Sequence, residues 1–139
     1  MTIQKIEAFL QAVDRCFPVP LSEKQDLGEY ARKLSRFATL CAVEEDGRIV
    51  AMAAGYTDRD PAYLAILATL PQVRGRGLGK TLVQEFMEKA RQSGASYLHL
   101  YAVETNTAAM RLYEGLGFTR WDMPNEPRKE DVHFIYTFR

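Results

Sequence analysis

The sequence predicts a mixed α/β (α+β) fold in which helices flank a mainly antiparallel sheet. Three observations carry that expectation. Two amphipathic helical patterns fill the first third, the middle changes to a strand period, and helices then alternate with strands to the end. A chain of 139 residues suits one domain, read here as spanning residues 1–139.

Residues 2–17 place Ile3, Ile6, Leu10, Val13 and Phe17 at helical spacing, and Pro18 with Pro20 stops that helix. Residues 26–37 repeat the pattern with Leu27, Tyr30, Leu34 and Phe37 on one side. Residues 39–43 and 49–56 read as strands joined by the turn signal Glu45-Asp46-Gly47-Arg48, a hairpin. After a polar loop at 57–61, residues 62–70 form an almost wholly apolar run that suits a central strand.

From Leu78 the period is helical again. Leu78, Leu82, Phe86 and Ala90 share a face, and Ser93-Gly94 closes the helix. Residues 97–103 are a further strand. Residues 105–114 are a short helix burying Ala109, Leu112 and Tyr113, ended by Gly115 and Gly117. Residues 118–121 and 132–138 read as a final antiparallel pair around a polar, proline-containing loop.

Composition excludes several classes. Hydrophobic residues make up 47% and charged residues 26%, which argues against disordered and fibrous chains. Lys plus Arg equals Asp plus Glu at 18 each. That balance gives no reason to expect nucleic acid or an anionic membrane as partner. No apolar run approaches the ~18 residues that span a bilayer, and Glu7 interrupts any signal-like start, so a cytoplasmic protein is expected. Cys16 and Cys41 lack metal or redox spacing and read as two buried apolar thiols, with a disulfide as the alternative. The chain has 2 histidines, His99 and His133, too few for a histidine-rich site, and no metal is expected.

The strongest chemical signal is Arg74-Gly75-Arg76-Gly77-Leu78-Gly79-Lys80, between an apolar strand and an amphipathic helix. Glycines at alternate positions let the backbone adopt positive φ and approach a ligand closely. The helix that follows presents unpaired N–H groups and about half a positive charge there, an anion site suited to phosphate or pyrophosphate. Arg74, Arg76 and Lys80 add mobile charge. A dinucleotide fingerprint needs G-x-G-x-x-G, which this turn does not offer. A Walker A loop needs one more residue before Gly79-Lys80-Thr81 and a partner aspartate on a strand. A glycine-rich helix entry with no ligand would leave three glycines and three cations without a role.

Arg74-x-x-Gly77-x-Gly79 resembles the R/Q-x-x-G-x-G/A signature of the GNAT superfamily of N-acetyltransferases. Downstream, Asn106-x-x-Ala109-x-x-Leu112-Tyr113-Glu114-Gly115-Leu116-Gly117-Phe118 is similar to that family's second signature, N-x-x-A-x-x-L-Y-E-x-x-G-F. Both occur in the family's order, one helix and one strand apart, and the resemblance runs from about Thr39 onward.

The resemblance implies acetyl-CoA as co-substrate. Backbone amides of Arg74, Gly75, Arg76, Gly77, Leu78, Gly79 and Lys80 would hold its pyrophosphate. The strand end Leu67, Ala68, Thr69 and Leu70 would pair with the pantetheine arm as an added strand. It also implies that this strand splays from 97–103 to leave a slot for the thioester, with Asn106 beside it. Tyr113 stands where the family often places a general acid. A phenol near pKa 10 stays protonated at neutral pH and can donate to a departing thiolate; the alternative is that Tyr113 only packs.

The acceptor amine needs a base. A lysine-like amine loses its proton at pH 7 at a cost of roughly 4.6 kcal/mol. Relatives often carry a carboxylate on the strand before the glycine turn, and residues 62–70 contain none. Asp58, Asp60 and Glu104 lie near in chain, and Tyr63, Thr69, His99 and Tyr101 could line the slot. A water relay serves equally well. Acceptor specificity is expected from residues 17–24, 57–61 and 123–131, whose charges are mixed in sign. A small-molecule amine is preferred over a protein amine. The cysteines have no nucleophile setting, so direct attack in a ternary complex is expected rather than an acetyl-cysteine. Two other readings stay open: an acyl-CoA-binding module without turnover, and a magnesium-dependent phosphate hydrolase. The protein is expected to be a monomer or homodimer.

Overall fold

A computed structural model describes residues 2–122 and 131–138. In chain order its elements are α1 Ile3–Val13, α2 Leu27–Phe37, β1 Thr39–Glu45, β2 Arg48–Tyr56, β3 Ala62–Thr69, α3 Leu78–Gln92, β4 Tyr97–Val103, α4 Thr107–Gly115, β5 Thr119–Arg120 and β6 Asp131–Thr137. The strands form one six-stranded sheet in the order β1-β2-β3-β4-β6-β5. Among the described residues every neighbouring pair is antiparallel except β3–β4. The final pair at 118–121 and 132–138 does form, but β6 inserts between β4 and β5.

Both N-terminal helices start at polar caps. Thr2 Oγ1 accepts from Lys5 N at 3.2 Å and Asp26 Oδ1 accepts from Glu29 N at 2.9 Å, each satisfying an orphan helix donor. The first helix stops at Val13, short of residue 17. Asp14 accepts from Ser22 N at 2.8 Å and from Ser22 Oγ at 2.6 Å. That clamp accompanies a tight 3₁₀ turn at Asp14–Cys16. Cys16 is therefore exposed, a correction to the buried thiol expected there, and both cysteines are unbridged. Phe37 also departs from its expected buried face: it ends α2 exposed, with the Arg36 guanidinium over its ring at 5.4 Å.

The sheet buries both faces of β2. Ala51 and Ala53 pack with Leu82, Val83 and Phe86 of α3, whereas Val50, Met52 and Ala54 pack with Ile6, Phe9 and Leu10 of α1 and Ala31 and Leu34 of α2. Such two-sided burial is why 49–56 reads as an unbroken apolar run. Between β2 and β3 the register jumps from Ala54↔Ile66 to Gly55↔Leu64, so Ala65 is the extra residue of a β-bulge. The bulge changes which face β3 presents. Leu64 joins the core under α3, and Ile66 joins the core under α1 and α2. Only glycine fits at Gly55, because a Cβ there would lie 2.0 Å from the Tyr63 carbonyl oxygen and 2.8 Å from Phe86.

Candidate active site

The bulge precedes a fork in the sheet. β3 and β4 are paired at Ala62↔Leu98 and Tyr63↔His99, and the parallel ladder ends there. Among the described residues the edge of β3 facing β4 carries no strand partner from Leu64 onward, while β4 keeps its full ladder with β6 through Val103. An open strand edge with unpaired N–H and C=O groups can accept an extended ligand as an added strand. Leu67, Ala68, Thr69 and Leu70 lie along it. Leu67 sits on the α3 side, and Ala68 and Leu70 are buried on the other.

β3 leads directly into the glycine turn. A short 3₁₀ turn at Pro71–Val73 follows the strand, and α3 begins after Gly77. Gly75 and Gly77 have φ of +85° and +75°, and a Cβ at either would meet nothing within 4 Å. Glycine is thus demanded by backbone conformation at both positions and not by crowding within the protein. Gly79 differs. Its φ is not positive, and an added Cβ would make ordinary contact with Leu67 Cδ2 at 3.9 Å and Leu112 Cδ2 at 4.0 Å. Among the described residues no side chain caps α3, so the amides of its first turn could receive an anion. Thr81 is occupied locally, its hydroxyl donating to the Gly77 carbonyl at 3.1 Å.

The cations of the turn are less mobile than expected. Arg74 Nε donates to the Thr69 carbonyl at 3.3 Å, and Arg76 Nη1 bonds Glu45 Oε2 of the β1–β2 hairpin at 2.8 Å. Lys80 is exposed.

Tyr113 lies on the core side of α4. Its ring packs edge-on to Phe118 at 5.6 Å and tilted to Phe134 at 5.9 Å between centroids. Burial pushes its phenol well above the usual tyrosine range. Asn106 caps α4, its Oδ1 accepting from Ala109 N at 3.1 Å. The amide nitrogen is then the part of Asn106 with which it could meet a cofactor.

Beside the fork, on the sheet face away from α3 and α4, aromatic rings from three strands converge. Tyr63 and His99 rings are 5.0 Å apart, His99 and Tyr101 6.1 Å, and Tyr101 stacks on His133 at 4.3 Å with planes 16° apart. Trp121, just after β5, adds a ring 5.0 Å from His133. His99 Nδ1 and His133 Nε2 are hydrogen-bonded at 2.9 Å. The patch borders a cleft lined by Asp60, Pro61, Tyr97, Trp121 and Ile135.

Comparison with known proteins matches residues 6–118 to the model of the acetyltransferase (GNAT) family. The chain belongs to that family. A mycothiol acetyltransferase of Nocardiopsis dassonvillei is 40% identical over 70 residues, 50% of this chain and 21% of that protein. One of Renibacterium salmoninarum is 36% identical over 91 residues, covering 60% and 26%. The matched stretch is thus about a quarter of the length of these relatives. Among solved structures, the PaiA N-acetyltransferase of Thermoplasma acidophilum in complex with coenzyme A superimposes with a TM-score of 0.79 at 15% identity, over 99% of this chain and 96% of that one. The aminoglycoside 6'-acetyltransferase type Ii gives 0.77 at 15% identity, over 97% and 88%. At these identities the likeness establishes the GNAT fold.

Within this GNAT fold the residues suggested by sequence separate into groups. Tyr63, His99 and Tyr101 do come together, whereas Thr69 lies at the far end of β3, opposite Ala51. Asp58 is paired with Arg59 at 3.0 Å on the surface, Asp60 accepts from Tyr97 N at 3.2 Å, and Glu104 is exposed after β4. The acceptor loop at 123–131 falls, except for Asp131, outside the described residues. Sequence reasoning missed His133 and Trp121. The alternation of Val132, His133, Phe134 and Ile135 shows that His133 and Phe134 face opposite ways, but nothing local tells which strand lies beside it.

No helix among the described residues is long and apolar enough to cross a membrane. Nor does any group of three or more His, Cys, Asp or Glu among them converge as a metal site.

Proposed function

We propose that the chain is an N-acetyltransferase that moves the acetyl group of acetyl-CoA to a primary amine, with the amine attacking the thioester directly in a ternary complex. The observation that carries this reading is the continuity of the open β3 edge with the glycine turn. An extended pantetheine arm would pair along Leu67–Leu70, and its pyrophosphate would then arrive at the amides of residues 74–80. The positive-φ glycines with open space above them fit such an anion, since any side chain there would project toward it.

Tyr113 is the proton donor in this reading. Its buried phenol stays protonated at neutral pH, so a donor is always loaded. Because the phenol is a weaker acid than an ordinary thiol of pKa about 8.5, it stabilises the departing sulfur as a hydrogen-bond donor before the proton is delivered. Asn106 supports the cofactor beside the slot. The acceptor is a small-molecule amine, a reading supported by relatives named mycothiol acetyltransferase.

Calorimetric titration with acetyl-CoA, run beside ATP with Mg²⁺, tests the cofactor. Micromolar binding of acetyl-CoA and none of ATP is expected, and a panel of amines then tests turnover. Silence with acetyl-CoA would sink the reading. Tight binding without turnover of any amine would point to an acyl-CoA-binding module.

A further inference from the structure

We propose that the acceptor carries a carboxylate several atoms from its reacting nitrogen, and that Lys33 and Arg59 hold that carboxylate where both cover Tyr56. The proposal rests on the acetyltransferase reading above and deepens it by naming the class of acceptor.

The first observation is position. Tyr56, Tyr63 and His99 occupy one rung across β2, β3 and β4. Their chain neighbours Gly55, Leu64, Leu98 and Leu100 turn toward the core under α3. Alternation therefore puts all three rings on the opposite face. The Tyr63–His99 pair is the last before β3 and β4 part. An amine entering the slot from this face passes over Tyr63, with the Tyr56 ring one strand further out.

The second observation is charge. Lys33 Nζ lies 5.9 Å and Arg59 Cζ 4.5 Å from the centre of the Tyr56 ring. Their stems cover the ring, which is buried, and both charged heads stay in water. Two cations that repel each other thus gather over one ring beside the slot. Arg59 gives its Nε to Asp58 at 3.0 Å. Lys33 makes no ion pair among the described residues. The loop's other carboxylate, Asp60, accepts from Tyr97 N on the β4 side. From Tyr30 to Phe37, α2 carries Arg32, Lys33 and Arg36 and no acidic residue. A helix C-terminus favours cations by itself, which accounts for that basic run. It does not account for a loop arginine meeting Lys33 over the same ring.

These groups select a ligand. Lys33, Arg59 and Asp58 sum to one positive charge, which one carboxylate cancels and a phosphate dianion would exceed. The carboxylate would receive charge-assisted hydrogen bonds from Nζ and from the guanidinium Nη groups that Asp58 does not take. Neighbouring strands are about 4.8 Å apart, so the reacting nitrogen and the carboxylate are separated by roughly 5–10 Å. That is the span of about three to five methylene groups. The carboxylate of an α-amino acid reacting at its α-amine is too close. The acceptor is an ω-amino carboxylate, with its apolar stem lying over Tyr63.

The test measures kcat/KM at two ionic strengths for 6-aminohexanoate, its amide and the diamine of the same length, beside acetyl-CoA calorimetry. All three offer an alkyl primary amine, so the distal group is what differs. The acid should exceed the amide by at least about five-fold at low salt, the scale of two solvent-screened ion pairs, with the diamine last. That ratio should shrink as ionic strength rises. Lys33→Gln combined with Arg59→Gln should bring acid and amide within two-fold of each other, and Lys33→Glu should reverse their order. Both positions are exposed, and acetyl-CoA calorimetry shows each variant folded. A merely structural role would lower both acceptors together and leave their ratio alone. A wild type that binds acetyl-CoA but shows a smaller ratio, or acetylates none of the three, overturns the proposal. So does a folded double variant that keeps the wild-type ratio. Failure of the wild type to bind acetyl-CoA overturns the acetyltransferase reading instead, and the acceptor class falls with it.

Discussion

Arg76 reaches from the glycine turn to Glu45 at the tip of the β1–β2 hairpin, their charged atoms 2.8 Å apart. Both side chains are about half exposed, at 52% and 43%, so water screens the pair and its net contribution to stability is small. Its consequence is for binding. An arginine held by a carboxylate competes less well for a phosphate. Glu45→Gln is expected to change stability by less than about 0.5 kcal/mol while tightening acetyl-CoA two- to five-fold at low salt. That gain should fade as ionic strength rises. Calorimetry at two salt concentrations checks it, and an unchanged affinity would show that Arg76 does not reach the anion.

The three glycines of the turn should not behave alike. Gly77→Glu forces a side chain into left-handed backbone, costing about 1–2 kcal/mol, and points bulk and negative charge at the proposed pyrophosphate site. Acetyl-CoA binding is expected to vanish while the fold persists. Gly79→Ala is the contrast. Its Cβ would rest at 3.9–4.0 Å from two leucine methyls in a helical turn that prefers alanine. A gain of about 0.4–1 kcal/mol is expected, raising Tm by roughly 2–4 °C, with binding retained. Thermal melts and titrations of the two variants read both effects. Normal binding by Gly77→Glu would mean that the turn serves another purpose.

Replacing Tyr113 by Phe keeps the packing against Phe118 and Phe134 and removes only the hydroxyl. An enzyme with about 10²-fold lower kcat and unchanged acetyl-CoA affinity is expected. An unchanged kcat would leave Tyr113 as packing alone. Burial raises this phenol above its unfolded value, so the folded state holds the proton more tightly. The resulting stability is present below pH ~10 and is lost as pH climbs beyond it. The Phe variant should therefore lose less stability than wild type between pH 9 and 11, measured by urea melts.

The two thiols should separate cleanly under alkylation. Burial pushes the Cys41 thiol up to about 11, which leaves little thiolate at pH 7.5 and little access to it. Cys16 is exposed. Mass spectrometry after iodoacetamide treatment should find Cys16 modified and Cys41 protected by at least about 10²-fold, with both labelled in denaturant. Rapid labelling of Cys41 in the folded protein would contradict its place in the core.

What the sequence determined by itself is mostly local. Helical periodicity, the polar caps at Thr2 and Asp26, and the Asp46-Gly47 turn set where helices and strands fall, to within a few residues. The glycine spacing marked a candidate anion site because it is backbone chemistry within one short segment. Local signals also failed locally. Nothing in the helical pattern revealed that Asp14 would bond to Ser22 and end α1 early.

Tertiary structure decided the rest. Gly55 and Ala65 look like unremarkable members of apolar strands; only pairing of β2 with β3 makes one a close-contact site and the other a bulge. The insertion of β6 between β4 and β5 is what sets His133 beside Tyr101 and against His99, 34 residues apart in chain. Strand order follows from the total packing of two cores, one on each face of the sheet, and no short stretch of residues encodes it. The glycine turn was therefore legible as sequence, and the histidine pair was not.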